Sequence, residues 1–331
     1  MKGVRKYEKR FFSGTLGRYA VLSVPLRRQR FAVTYRQTSS NNSQPPTADS
    51  EQSDKHMRLQ QIAYRASSLL RHRLTAWNTG GEGIHSPYLF YWVRHCLYDR
   101  NRYYAFDRIE KQRSALLHST KTLTVTDYGT GKDRHATRQV KDIAATSLEK
   151  ARNAQTLFRL VQFIGDKELD SQRGDEGLHI LELGTSLGIT TAYLASPSSK
   201  NKVVTMEGSE SLTATARDNW QKLGLHNITA VEGNIDETLH SVLTDLQHVD
   251  LVFMDANHTE EATLRYWEAI VPHVGKKSVI VLDDIHWNKE MERAWRTIQQ
   301  DKRVTCTMDT YDMGMTFFDP AYLHKHFRLR I

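Results

Sequence analysis

From residue 178 onward, short apolar runs alternate with longer amphipathic stretches. The runs fall near 178–183, 202–207, 228–232, 249–254, 278–282, 303–309 and 313–318. They are rich in Val, Ile and Leu, and several, such as "VDLVFM" and "SVIVL", are apolar throughout. Such runs suit strands buried on both faces, and the stretches between the first six suit crossover helices, one of them over 260–270. This predicts an α/β fold with a mostly parallel sheet. The last two runs are joined only by "DTYDMG". That is too short for a crossover helix, so this pair is expected to run antiparallel. Ahead of the sheet, residues 57–170 read as mostly helical. "MRLQQIAYRASSLLRHRLTAW" and "ATRQVKDIAATSLEKARNAQTLFRLVQFIG" have apolar residues at helical spacing, and Ser86–Pro87 matches an N-cap followed by proline at the first helical position.

Two glycine-bearing turns could open a nucleotide-type site, "TVTDYGTGKDR" (124–134) and "HILELGTSLG" (179–188). Such a site needs a strand, a tight turn, a helix N-terminus and a second strand ending in an acid that holds ribose hydroxyls. The second turn meets this: "KVVTMEGSE" follows and ends its strand at Glu207. The first turn is followed by a polar helical pattern with no such strand, so it is expected to be a turn, with Gly129–Arg134 a candidate lid. The accepted turn reads E-x-G-x-x-x-G, from Glu182 through Gly184, Thr185 and Ser186 to Gly188. It lacks the Gly-Lys-Ser/Thr of a phosphate loop. A carboxylate at the strand end would repel a pyrophosphate and suits a cationic ligand, such as a sulfonium bearing an ammonium group.

Composition narrows the picture. The net charge of +8 divides unevenly: +7 over residues 1–56, +7 over 57–177 and −6 over 178–331. The acidic chemical region weakens a nucleic-acid reading. The +14 ahead of it keeps one alternative in view, an RNA or protein substrate. Cys96 and Cys306 form neither a metal spacing nor a disulfide framework. No apolar stretch is long enough to span a bilayer. Residues 1–56 are expected to be a basic, disordered arm ending in the polar linker "RQTSSNNSQPPTADSEQSD". A transit peptide, or residues ahead of an internal start at Met57, are the other readings of this segment.

Together, "ILELGTSLGITTAYLA", "VVTMEGS", "VEGNIDETL", "DLVFMDANH" and "VIVLDDIHW" resemble the class I S-adenosylmethionine-dependent methyltransferases, and more narrowly the catechol-type O-methyltransferases. "GIHSP", "DYGTGKDR" and "AQTLFRLVQFIG" are similar to an uncharacterised bacterial branch of those enzymes. The resemblance implies a Rossmann-like, seven-stranded sheet with an antiparallel last strand behind an N-terminal helical lead-in. Composition and patterning divide the chain at 1–56, 57–170 and 171–331.

Carried onto this chain, the resemblance places Glu182, Gly184, Thr185, Ser186 and Gly188 around the methionine end of S-adenosylmethionine. Glu207, with Gly208 and Ser209, would hold the ribose, and Gly233–Asn234 the adenine. Asp255 would lie beside the transferred methyl. Asp255, Asp283 and Asp284 would bind Mg²⁺, with Asp284 where the family commonly has Asn, and His258 stands where a catalytic Lys is common. The alternatives are that His258 is a surface or orienting residue and that Asp284 caps the next helix. His286 is expected to be structural, Trp287 to wall the pocket or pack, and His85 to bond within its loop. The resulting expectation is a cytoplasmic enzyme that methylates a small hydroxylated acceptor, without a membrane partner and with a homodimer left open. A non-catalytic S-adenosylmethionine-binding protein is the third reading, motivated by the departures at Asp284, Asn234 and His258.

Overall fold

A computed structural model of the protein describes residues 48–128, 134–166, 176–322 and 324–331. All of them lie in the unit Arg36–Ile331. The lead-in opens with α1 (Ala48–Thr75), α2 (Pro87–Trp92) and α3 (Tyr104–Leu117). α1 begins inside the 1–56 segment expected to be a disordered arm, because the run from Ala48 holds no Pro or Gly to stop a helix; residues 1–47 lie outside the described residues. The start of α2 follows the sequence signal: Ser86 Oγ accepts the Leu89 N–H at 3.3 Å, and Pro87 contributes no orphan donor. Next come β1 (Thr122–Asp127) and β2 (Arg134–Gln139), an antiparallel pair where the hydrophobic pattern predicts helix. β2, Arg-His-Ala-Thr-Arg-Gln, is mostly polar without alternation, so its strand signal is weak, whereas β1, Thr-Leu-Thr-Val-Thr-Asp, does alternate but lies inside a stretch read as helical. The candidate lid residues 129–133 lie outside the described residues, as does the side chain of Arg134. α4 (Val140–Ser147) and α5 (Ala151–Ile164) complete the lead-in.

The remainder alternates as expected: β3 (His179–Leu183), α6 (Ile189–Ala195), β4 (Lys202–Glu207), α7 (Glu210–Leu223), β5 (Ile228–Glu232), α8 (Ile235–Leu246), β6 (Val249–Met254), α9 (Glu260–Ile270), β7 (Val274–Asp283), α10 (Lys289–Gln299), β8 (Cys306–Asp309), β9 (Met313–Phe317) and β10 (Lys325–Arg328). The sheet order is β10-β8-β9-β7-β6-β3-β4-β5. Among the described residues it has eight strands rather than seven, because β10 adds a parallel edge beside β8. Its four residues, Lys-His-Phe-Arg, bury only Phe327 and leave little hydrophobic signal. β9 is antiparallel to both neighbours, so the reversed strand sits inside the sheet between β7 and β8.

β3 and β6 are central, and every residue of β6 is buried. One cluster joins α2 and α5 to the sheet through Trp92, Leu157, Leu160, Ile180 and Phe253. A second packs α9 and α10 through Trp267 and Trp295 on the Leu181, Val252 and Ile280 side. Full burial of each such side chain contributes about 1.5–3 kcal/mol. α1 is tied to α10 and to the sheet by polar contacts. Arg71 Nη2 donates to Glu292 at 2.8 Å, and Tyr64 donates to the same carboxylate. His72 Nε2 lies 3.0 Å from Asp309 Oδ1, and His286 Nε2 lies 2.9 Å from Oδ2. The two imidazoles hold the Asp309 carboxyl far below the usual range, outweighing its burial. This gives His286 the expected structural part.

Candidate active site

A cavity of about 300 Å³ opens at the carboxyl ends of β3, β4 and β6, where parallel sheets usually bind ligands. The β3–α6 turn that shapes it needs its glycines. Gly184 has φ +96°, and a Cβ there would stand 2.2 Å from the Asp255 carbonyl oxygen. This close approach brings the turn onto the end of β6. The Asp255 N–H donates to Leu183 O at 2.9 Å, and the Gly184 N–H donates to Met206 O at 3.0 Å. At Gly188, φ is +74°, and a Cβ would meet the Trp220 indole at 2.5 Å.

The expected cofactor residues separate into two layers. Gly184, Ser186, Glu207, Gly208, Asn234 and Asp255 line the cavity. Glu182, Thr185, Gly188, Ser209 and Gly233 are not in its wall. Glu182 is fully buried behind the turn, where its Oε2 accepts from Thr191 at 2.5 Å and Thr205 at 2.7 Å. Burial, opposed by those two hydroxyls, pushes its carboxyl up to about 8. Thr185 is equally buried and bonds Thr205 at 2.6 Å. The sequence reading puts both at the ligand. The structure makes them the footing of the turn, because the alternation of a strand buried on both faces directs Glu182 away from the cavity.

Glu207 ends β4 with its carboxylate in the cavity wall. The Ser186 N–H donates to Oε2 at 2.8 Å and the Ser209 N–H to Oε1 at 3.0 Å. Burial raises its pKa, and these backbone donors oppose the rise. A carboxylate in the wall is also a hydrogen-bond acceptor for ligand hydroxyls. Asn234 does two things: it lines the cavity and caps α8, accepting the Asp236 N–H at 3.1 Å.

Asp255 follows β6, and its Oδ1 lies 3.3 Å from His258 Nε2. Burial alone would lower the His258 pKa, but Asp255, with Asp284 and Glu149 nearby, raises it. Asp283 ends β7 and is 4% exposed. Asp284 follows with φ +52°. Helix capping there falls to Asn288, which accepts the Met291 N–H at 2.8 Å, and not to Asp284. Glu149, at the start of α5, is a member of this cluster that the sequence reading does not include. Its carboxyl is pushed up to about 7 by burial, against hydrogen bonds from Asp283 and Asn153. Burial, with the surrounding Glu149, Asp284 and Asp255 carboxylates, also raises the Asp283 carboxyl well above the usual range.

The three aspartates expected to hold Mg²⁺ supply hard oxygen donors. Yet among the described residues no three His, Cys, Asp or Glu side chains converge as metal ligands. Glu149 lies among these carboxylates, and Asp283 Oδ1 is buried without a hydrogen-bond partner among the described residues.

Several lining residues come from the lead-in: Thr126, Tyr128, Ala136, Arg138, Ile143 and Ser147. The Tyr128 ring rests where a Cβ on Gly208 would stand, at 2.5 Å. Ser147 Oγ meets Ser186 Oγ at 2.8 Å. Trp287 has the Arg65 guanidinium stacked 4.0 Å from its ring centroid, which places it beside α1. His85 lies away from this cavity.

Residues 181–285 match the model of a family described as a methyltransferase domain. No curated protein matches the chain. Among solved structures it is similar to the methyltransferase PaMTH1 of Podospora anserina bound to SAH, at 14% identity and TM-score 0.48, over 69% of this chain and 92% of that one. It is also similar to an O-methyltransferase from Bacillus cereus in complex with SAH, at 18% identity and TM-score 0.45, over 69% and 96%. TomG of Streptomyces achromogenes, an O-methyltransferase in complex with SAM, matches at 18% identity and TM-score 0.43, over 53% and 82%. The match to a methyltransferase domain over 181–285 falls within the sheet order and glycine turn described above.

Proposed function

We propose that the enzyme transfers the methyl group of S-adenosylmethionine to a hydroxyl oxygen of a small acceptor. The observation that carries this reading is one cavity whose wall holds both the Glu207 carboxylate and Asp255, with His258 against Asp255. Bound S-adenosylmethionine supplies an electrophilic methyl. The chain supplies position, the main catalytic contribution to an in-line displacement. Glu207, held by backbone donors at the two turns, would accept ribose hydroxyls. Asn234 offers an amide to the adenine edge, and the Gly184–Ser186 backbone faces the methionine end. Glu182 acts from behind, holding the turn through Thr191 and Thr205.

His258 is the proton acceptor. With Nε2–H turned to Asp255, Nδ1 is the atom left to take the acceptor's hydroxyl proton. Deprotonation strengthens the oxygen nucleophile as the C–O bond forms and the sulfonium C–S bond breaks. No step here is routed through a divalent cation, since the aspartates do not converge on one. The test is titration calorimetry with S-adenosylmethionine on wild type and Glu207→Ala, followed by methyl transfer to a hydroxylated acceptor panel. Equal affinity in both proteins would remove Glu207 from the site. Tight binding without transfer to any hydroxyl would leave a binding protein.

A further inference from the structure

A second cavity, of about 590 Å³, lies below the "GIHSP" loop and shares no lining residue with the first. Lys277, in its wall, stands six positions before Asp283 on β7. This separates it from the catalytic end of the strand by roughly 20 Å. Its volume falls in the range of small-molecule sites, roughly 300–1,000 Å³.

The walls are aromatic. Tyr88 and Tyr322 stack with centroids 5.8 Å apart at an interplanar angle of 16°. Phe327 is buried, 4% exposed. Two ammonium groups stand over these rings: Lys277 Nζ is 5.0 Å from the Tyr88 centroid and Lys325 Nζ is 5.2 Å from that of Phe327. Their other partners differ. Lys277 has the Asp319 carboxylate at 3.7 Å. Lys325 donates to a backbone carbonyl, Gly83 O, at 3.3 Å, and among the described residues no carboxylate pairs with it. The cavity therefore combines apolar ring surfaces with one uncompensated cation at its wall.

We propose that this cavity is a second ligand site, distinct from the cofactor site, for a planar aromatic body bearing one acidic group. The ring surfaces cover the apolar body, and the Lys325 ammonium donates to the carboxylate or sulfonate oxygen. A dianion is disfavoured, because Asp319 already neutralises Lys277.

The test uses the full chain and 8-anilinonaphthalene-1-sulfonate, an aromatic monoanion whose fluorescence reports binding. N-phenyl-1-naphthylamine is its uncharged counterpart. Saturable one-to-one binding of the sulfonate is expected, unchanged by saturating S-adenosylhomocysteine. Lys325→Gln should weaken it about three- to tenfold, the effect of one charged contact, and Lys325→Arg should largely restore it. The neutral amine should bind more weakly to wild type and be indifferent to both substitutions. Lys325 is exposed, so the variants are expected to fold, and circular dichroism checks this. Displacement of the sulfonate by S-adenosylhomocysteine, or equal sulfonate affinity in wild type and Lys325→Gln, would overturn the proposal.

Discussion

Replacing Gly184 with alanine should damage both stability and cofactor binding. The added Cβ would stand 2.2 Å from the Asp255 carbonyl oxygen, about 1 Å inside the closest approach real Cβ atoms make. Backbone on both sides must move, because no flexible side chain is available to yield. The φ of +96° adds strain of about 1–3 kcal/mol for a residue with a side chain. Opening the turn also loosens the bonds from Asp255 N–H to Leu183 O and from Gly184 N–H to Met206 O, each worth about 1 kcal/mol net. The total is about 3 kcal/mol or more, which lowers Tm by about 6 °C or more in a domain of this size. Affinity for S-adenosylhomocysteine should fall at least about tenfold, because the cavity wall shifts with the turn. Gly80→Ala is the control. Gly80 has a comparable φ of +73° with nothing within 4 Å of its Cβ position, so it should cost about 1–2 kcal/mol and leave affinity unchanged. Scanning fluorimetry and calorimetry measure both quantities. A Gly184→Ala protein with wild-type Tm and affinity would refute the close-approach argument.

Further outcomes follow from the same contacts. His258 has a raised pKa, so its charged form stabilises the fold below the ordinary histidine range, and this contribution is lost as pH rises through the folded-state value. The base form appears over that same upper interval. kcat/KM should therefore climb with pH above the usual histidine range, and His258→Ala should lower it by about 10²–10⁴ and remove that limb. Asp309 has the opposite sign: its depressed pKa contributes stability that is present above the ordinary carboxylate range and is lost as pH falls through the folded-state value. Asp309→Asn, which leaves two buried imidazoles without their carboxylate, should cost about 3–5 kcal/mol near neutral pH, measured by urea unfolding, and less in acid. Chelator treatment should leave kcat unchanged, and Glu149→Gln should show whether Asp283 then gains affinity for Mg²⁺ by calorimetry.

The sheet was legible because buried parallel strands leave dense apolar runs, such as "VDLVFM", between amphipathic helices. The helix start at Ser86–Pro87 was legible for a local reason, a side-chain acceptor next to orphan N–H groups. β2 and β10 were not, since both are short and polar, and the alternation of β1 lies within a stretch that reads as helical. Glu207 and Asp255 were readable as strand-end carboxylates. Glu182 was readable as important, but its direction was not: only the assembled β3–β4 pair shows that Thr191 and Thr205 take it from behind. Glu149, Tyr128 and Ser147 reach the site from a segment remote in sequence, and Asp309 meets His72 across 237 positions. Contacts of that range leave no periodic trace.

Oxygen methylation is tested by incubating the full chain with methyl-labelled S-adenosylmethionine and a panel of small phenols and catechols, then locating the label by mass spectrometry. Label is expected on an acceptor oxygen in wild type, with strongly reduced transfer in Glu207→Ala and His258→Ala. Label on nitrogen or carbon, or oxygen transfer that survives both substitutions at the wild-type rate, would contradict the proposal.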